Sequence, residues 1–404
     1  MYNSNFNGIE IDMLSLGDAD SILVTAWAGA TPWRVLIDGG RASDAKIVGD
    51  FLQSRYATSL YAVVCTHMHN DHARGLIELV KDRSLTITTG WMHDMRNHAS
   101  ADALSRASSG NSSQADGVKE ALETTKELAS AFASRYITPS EPFAGATISF
   151  LPGLSVLGPN QEFYKLALEE SMGEPVPAYG SLLSALAGIS ITESYPPAIP
   201  PLAGRYGLTP PPAAVVPFPP SLFSAIGSPL ASPPKTSPDL SAALLGVLRN
   251  SSVEESPKTQ PFNNTSVILG MEYGGSKFLF TADAGAEALD VVPPLWKNLF
   301  WMQVPHHGSD GNLSQANIER FCPKIAYVSA CGDTSHPSRA IVNGLIKVGA
   351  EVFSTHTANP GHLRYHMGSI PWPCPPGYGR AIPLKGNAAP LPFAEWFSAV
   401  PGRL

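Results

Sequence analysis

Charge is scarce in this chain. Of its 404 residues only 15% are Asp, Glu, Lys or Arg, and the formal balance is −7. Soluble domains usually carry about a quarter charged residues. Phosphate polymers are gripped by clustered Lys and Arg, and no such cluster occurs, so long duplex DNA is not a favoured partner. Cysteine is scarce too. Cys65, Cys322, Cys331 and Cys374 are scattered, with no C-x-x-C pair, which points to a reduced, cytoplasmic protein and away from a disulfide scaffold. No apolar run approaches the roughly eighteen residues that a membrane-spanning helix needs, so no membrane partner is expected. The opening Met1-Tyr-Asn-Ser-Asn-Phe-Asn7 has neither the basic nor the apolar segment of a signal peptide. Histidine is missing from one long stretch: none of the eleven lies between 99 and 305.

What is present is concentrated. Residues 65–76 read Cys-Thr-His-Met-His-Asn-Asp-His-Ala-Arg-Gly-Leu, in which His67, His69, Asp71 and His72 form H-x-H-x-D-H. Packing has no use for four metal-capable side chains in six residues. Neutral imidazole and carboxylate oxygen suit zinc and similar divalent ions. Tyr61-Ala-Val-Val-Cys-Thr66 reads as a short apolar strand, and Gly75-Leu-Ile-Glu-Leu-Val80 begins a helical pattern. The motif therefore falls on the turn from a strand's carboxyl end into a helix, where open α/β sheets place their ligands. The remaining histidines form two groups, His93 and His98 early, then His306, His307, His336, His356, His362 and His366 late. A fold of two halves with one site between them produces such a split.

The rest of the chain reads as alternating strand and helix. Strands are expected near 9–16, 20–27, 33–38 and 84–92, with a helix near 43–55 and helical character over 97–135 broken at Ser108–Ser113. Thr147–Leu151 and Leu154–Pro159 are strand-like, and Asn160 caps a helix through Met172. Residues 195–238 differ: fourteen are proline and only Arg205 and Lys235 are charged. Such a segment cannot donate a hydrogen-bond ladder. It reads either as a mobile insertion or as an extended lid against the body. Alternation resumes with Asn298–Val304 and Lys324–Ser329 as strands, Pro337–Val348 as a helix and Glu351–Thr355 as a last strand. The Pro- and Gly-rich tail beyond 357 is expected as a surface wrap, with His362 and His366 at the surface.

At these motifs the chain resembles the metallo-β-lactamase fold superfamily. H-x-H-x-D-H after a strand is that family's signature. Gly17-Asp-Ala-Asp-Ser-Ile-Leu-Val24 with Val35-Leu-Ile-Asp-Gly-Gly40 looks like its opening hairpin. Asn264–Gly275 followed by Lys277-Phe-Leu-Phe-Thr-Ala-Asp283 resembles the hairpin that delivers its bridging Asp. Val304-Pro-His-His-Gly-Ser309 is similar to an element of one branch, that of the competence-protein hydrolase domains and phosphorylcholine esterases. The resemblance covers roughly 1–95, 140–180 and 262–356. It implies an α/β, four-layer αββα sandwich with helical and Pro-rich insertions. We expect a single domain over 1–404, with a first half of about 1–180, an insertion of about 185–260, a second half of about 261–370 and a tail of 371–404.

The resemblance also implies a site. His67 and His69 would bind one metal, Asp71 and His72 a second, and Asp283 would bridge them. One of His306 and His307 would be a ligand of the second metal and the other would face the substrate; we take His307 as the ligand and His306, with Asp71, as catalytic. The first metal lacks its downstream His, since none exists from 99 to 305. His93 is the best substitute and Asp94 the alternative. Asp38 would orient a ligand His through its free ring nitrogen, and His356, ending the last strand, would be a supporting or substrate residue. Two zinc ions are expected, with manganese as the alternative. The function implied is a metal-dependent hydrolase acting through a metal-activated hydroxide on a small or exposed phosphodiester. A carboxyl substrate (lactone, thioester or lactam) is the first alternative and a metal-stabilised binding protein the second.

Overall fold

The computed structural model describes residues 6–100, 103–105, 113–149, 152–173, 253, 258–332, 336–357, 361–371, 378 and 381–385. They all belong to one compact unit, Met1–Ile191 with Ser252–Leu404. The Pro-rich 195–238 segment lies outside the described residues.

Two mixed sheets form the body. In the first, β1 (Asn7–Met13), β2 (Ile22–Ala28) and β3 (Thr31–Ile37) make an antiparallel meander, and β4 (Ser59–Val64) and β5 (Thr86–Trp91) extend it in parallel. Parallel pairs need crossovers; α1 (Ala45–Ser54) and α2 (Asn70–Lys81) supply them. The second sheet repeats the plan. Its β6 (Thr147–Ser149), β7 (Leu154–Gly158), β8 (Ile268–Tyr273) and β9 (Ser276–Phe280) are antiparallel, and β10 (Trp301–Gln303), β11 (Ile325–Val328) and β12 (Glu351–Ser354) follow in parallel. Helices α5 (Ala286–Asp290), α6 (Gln315–Phe321) and α7 (Arg339–Lys347) connect them. Two further helices, α3 (Ser113–Ala133) and α4 (Gln161–Ser171), follow the first parallel strands. Asn160 caps α4, its side chain accepting from the Phe163 N–H at 2.8 Å.

Alternation along the strands explains the layering. Ile9, Ile11, Met13, Ile22, Val24, Val35 and Ile37 point to one face of the first sheet and meet Leu269, Met271, Phe278, Phe280 and Trp301 of the second in a shared core. Leu23, Leu36 and Val63 point the other way, onto α1, α2 and α3. Leu279, Met302 and Ala326 likewise face the helices of the second half. Three apolar layers separating helix, sheet, sheet and helix make a four-layer αββα sandwich.

The tail departs from expectation. Leu363–Ser369 is no surface wrap: as β13 it pairs antiparallel with β1 along seven residues, Asp12 opposite Arg364. Charge pairing across the sheet explains it, because the Arg364 guanidinium donates to the buried Glu10 carboxylate. His362 is tied in too, its Nδ1 accepting from the Ser15 N–H at 3.0 Å while its ring packs edge-on to Phe51. No helix among the described residues is long and apolar enough to cross a membrane.

Candidate metal centre

The site gathers at the carboxyl ends of the parallel strands of both sheets. β3 delivers Asp38, β4 the 67–72 motif, β9 Asp283, β10 the His306–His307 pair and β11 Ser329. His69 closes the loop as the N-cap of α2 in extended backbone, so Asp71 and His72 lie in the helix's first turn.

A tight backbone contact makes this arrangement possible. Asp38 sits at φ 58, and Gly39 and Gly40 then run against α2. The Gly39 N–H donates to His72 O at 2.9 Å and the Gly75 N–H to Gly40 O at 2.8 Å. A Cβ on Gly75 would stand 1.8 Å from Gly39 O, so only glycine fits. With the two segments this close, the Asp38 carboxylate reaches three partners. It accepts from the Thr66 N–H at 2.8 Å, the Thr66 hydroxyl at 2.6 Å and His72 Nδ1–H at 2.8 Å. His72 therefore presents Nε2 to the centre. Thr66 Oγ1, its hydrogen given to Asp38, lies 3.3 Å from His67 Nδ1 and accepts from it, so His67 also presents Nε2.

Two groups of ligand atoms result. In the first, His67 Nε2 is 3.0 Å from His69 Nδ1 and 3.7 Å from Asp283 Oδ2. In the second, Asp71 Oδ2 is 3.5 Å from His307 Nε2, beside His72. His72 Nε2 is in turn 3.2 Å from Asp283 Oδ1. Asp283 thus offers one oxygen to each group. Three buried atoms, His72 Nε2, Asp283 Oδ1 and His307 Nε2, make no hydrogen bond to the protein. Polar atoms so buried ordinarily have partners. Tetrahedral zinc at about 2.0–2.1 Å from imidazole nitrogen holds its ligands about 3.3 Å apart, the spacing seen here. The donor set fits divalent cations.

Electrostatics agree. Burial, reinforced by His72 and His69, holds the His67 imidazole well below its ordinary value, so it is a neutral donor. Burial lowers His69 as well. Burial opposes charge on His307 too, yet Asp71, Asp283 and Asp20 hold it up to about 9. Asp283, though burial works against it, is kept well below the usual carboxylate range by His72 and His306. The clustered carboxylates call for positive charge at this point.

The second half aims its histidines through unusual backbone. His306, His307 and Gly308 lie at φ 47, 55 and 80, a left-handed run that costs about 1–3 kcal/mol at each non-glycine residue. It is held by the His306 N–H to Ala282 O at 3.0 Å and the Ser309 N–H to His306 O at 2.9 Å. The two side chains part company. His307 is buried and donates Nδ1–H to Ser329 O at 3.1 Å. His306 is more exposed; it donates Nδ1–H to Asn312 Oδ1 at 2.8 Å, which leaves Nε2 facing Asp283 Oδ2 at 3.7 Å.

Asp20 belongs to the centre although its sequence gives no sign of it. It is buried, accepts from Gln303 Nε2 at 2.7 Å and from the Ser329 hydroxyl, and forms a third metal-capable group with His72 and Asp283. Gln303 and Ser329 belong to the other half, so Asp20 ties the two sheets behind the ligands.

Three expected residues lie outside the ligand groups. His93 is buried between the Phe143 and Tyr164 rings, with centroids 4.5 and 4.2 Å away, and lies in none of the ligand groups. Burial, helped by His98, holds it down at about 3. Asp94 turns to Arg96, the two side chains pairing at 2.8 Å. His356 shares a hydrogen bond with Ser354 Oγ at 2.6 Å and lies over Gly332. Conversely, His336, given no role from the sequence, has its ring 5.9 Å from His306 and 6.2 Å from His307.

No family model matches the chain. Among curated proteins it is similar to ComE operon protein 3 of Bacillus subtilis (strain 168), with 30% identity over 115 residues, 28% of this chain. The chain spans 15% of that protein's length.

Proposed function

We propose that this chain is a hydrolase of the metallo-β-lactamase superfamily that uses two divalent metal ions, zinc in first place, on a phosphodiester. One observation carries the reading: two His/Asp ligand groups lie on either side of Asp283 at the ends of two sheets, with His72 Nε2, His307 Nε2 and Asp283 Oδ1 buried and unbonded between them. The share of the chain that matches ComE operon protein 3 adds weight to the superfamily.

When bound, the ions would supply an activated water near neutral pH and counter the charge that builds on substrate oxygen. The chain's own residues would do the rest. His67, His69 and Asp283 would hold the first ion; Asp71, His72 and His307, with Asp283, would hold the second. Asp38 and Ser329 fix the ring orientation of His72 and His307. His306, outside the ligand groups and with Asn312 on Nδ1, keeps Nε2 for the reacting group, where it can hold or deliver a proton to the departing oxygen. We leave His93 out of the ligand set, given its packing between Phe143 and Tyr164.

The test joins metal analysis of the purified full chain to hydrolysis of a chromogenic phosphodiester and of a lactone. Two ions per chain and chelator-sensitive diester turnover are expected. Lactone turnover alone would move the substrate to the carboxyl class. Less than one ion per chain with neither substrate consumed would overturn the enzyme reading.

A further inference from the structure

Beside His69 lies a cavity of about 370 Å³, lined also by Gly117, Val118, Ser171, Gln260, Pro261 and Phe262. That is the lower end of the range for small-molecule sites. None of these residues is a Lys, Arg, Asp or Glu. The Phe262 ring is tilted against His69, with centroids 4.9 Å apart, so the apolar wall begins where the first ligand group ends. The wall on the other side is α3, which is pinned over the motif. Asn70, between His69 and Asp71, donates to Glu120, and Arg74 pairs with Glu127 at 2.8 Å.

From this we infer that the cavity receives an uncharged, ring-sized arm of the substrate, so that the diester cleaved carries an aryl or heterocyclic substituent rather than further phosphates. The inference rests on the hydrolase reading above. The anionic phosphorus centre belongs with the cations. Among the described residues the lining holds no cationic side chain to balance a second negative charge; it offers the Phe262 face, the Val118 side chain and the Gln260 amide, while the Ser171 hydroxyl donates to Leu168 O at 2.6 Å. Because α3 forms one wall, selectivity for the arm is set by residues far in sequence from the ligands.

Gly117 gives a clean probe. A Cβ there meets nothing within 4 Å, and replacing a helical glycine favours the helix, so Gly117→Leu fills the space without threatening the fold. Phe262→Ala removes the ring instead. The metal-loaded full chain is assayed on phenyl and methyl p-nitrophenyl phosphate, corrected for uncatalysed rates. A preference of about tenfold or more for the phenyl ester is expected, falling toward one in both variants. Saturation-transfer NMR with benzyl alcohol reads the cavity without turnover: binding is expected in the parent and lost in Gly117→Leu. Turnover with equal efficiency on both esters overturns the arm site and leaves the hydrolase reading standing. Benzyl alcohol bound in the parent and lost in the variant, with neither ester consumed, keeps the ring site and overturns the phosphodiester reading. Benzyl alcohol that binds neither protein, or both equally, overturns the site.

Discussion

The Asp38 carboxylate accepts the His72 Nδ1 proton at 2.8 Å across 34 residues of chain, and so decides which imidazole nitrogen faces Asp283. Asp38→Asn keeps the size but offers an amide where the hydrogen bond needs a full anion. Metal affinity is expected to fall about 10- to 100-fold, as when other residues that orient ligand histidines are lost. Competition with a chromogenic chelator measures it; an unchanged affinity would dissociate Asp38 from the centre.

Asp283 and Asp71 make unequal contributions. Asp283 offers one oxygen to each ligand group, whereas Asp71 serves only the group with His72 and His307. After dialysis against trace metal, Asp71→Ala is expected to retain about one ion per chain and Asp283→Ala fewer. Both should lose hydrolytic activity. Elemental analysis decides the point, and equal ion counts in the two variants would count against a shared carboxylate.

Gly75 sets propensity against space. In an exposed helix, Gly→Ala gains about 1 kcal/mol. Here the new Cβ would lie 1.8 Å from Gly39 O, backbone against backbone, with no flexible side chain to give way. The Asp38 turn must then move off α2. A net loss of at least about 2 kcal/mol is expected in urea unfolding, with weaker metal binding beside it. A stabilised variant would mean the turn tolerates displacement.

The motif loop was legible because its signal is local. Ligands, preceding strand and following helix occupy adjacent residues, and the polar cluster interrupts an apolar pattern. The β8–β9 hairpin was legible for the same reason, with Gly274 and Gly275 both at positive φ in a two-residue turn. Asp20 was not, because its partners Gln303 and Ser329 lie 283 and 309 residues away. His93 does follow a strand as expected, but the strand's neighbours decided its fate: Phe143 and Tyr164 close over it. β13 escaped for want of local signal, since its pairing with β1 spans nearly the whole chain.

Asp12 makes stability depend on pH in a definite direction. It is fully buried in the first sheet near Arg364, Arg55 and Glu10, with the Tyr378 hydroxyl donating to it at 2.7 Å. Burial, with Glu10 adding, raises its carboxyl from 3.8 to about 6 against the opposing pull of Arg364, Arg55 and Tyr378. The folded state therefore binds this proton more tightly than the unfolded chain. Its contribution is complete below about pH 4 and is lost as pH rises through 6, a difference of about 3 kcal/mol. Asp12→Asn, neutral throughout, is expected to flatten this part of the stability profile and to exceed the parent above pH 6. Chemical denaturation at intervals from pH 4 to 7 checks it; parallel profiles would remove Asp12 as the source.

Gln303 tests the joint between the halves. Its side-chain oxygen accepts from the Thr281 N–H at 3.1 Å and the Ala282 N–H at 3.2 Å, while its nitrogen donates to Asp20 at 2.7 Å. One side chain thereby sets the turn that leads to Asp283 and satisfies a buried carboxylate from the other sheet. Gln303→Leu fills the same space but leaves Asp20 with the Ser329 hydroxyl and strands two backbone donors. Buried groups left unpaired cost about 1–3 kcal/mol each, more when charged, so a loss of about 3 kcal/mol or more is expected. Gln303→Glu retains the acceptor for the two N–H groups and sets a second carboxylate against Asp20. It should restore little stability at neutral pH and more in acid, where one of the two carboxyls takes up a proton and donates to the other. Unfolding of both variants at pH 5 and pH 8 separates the two roles: if Gln303→Glu gains nothing in acid, the turn rather than the Asp20 contact is what Gln303 maintains.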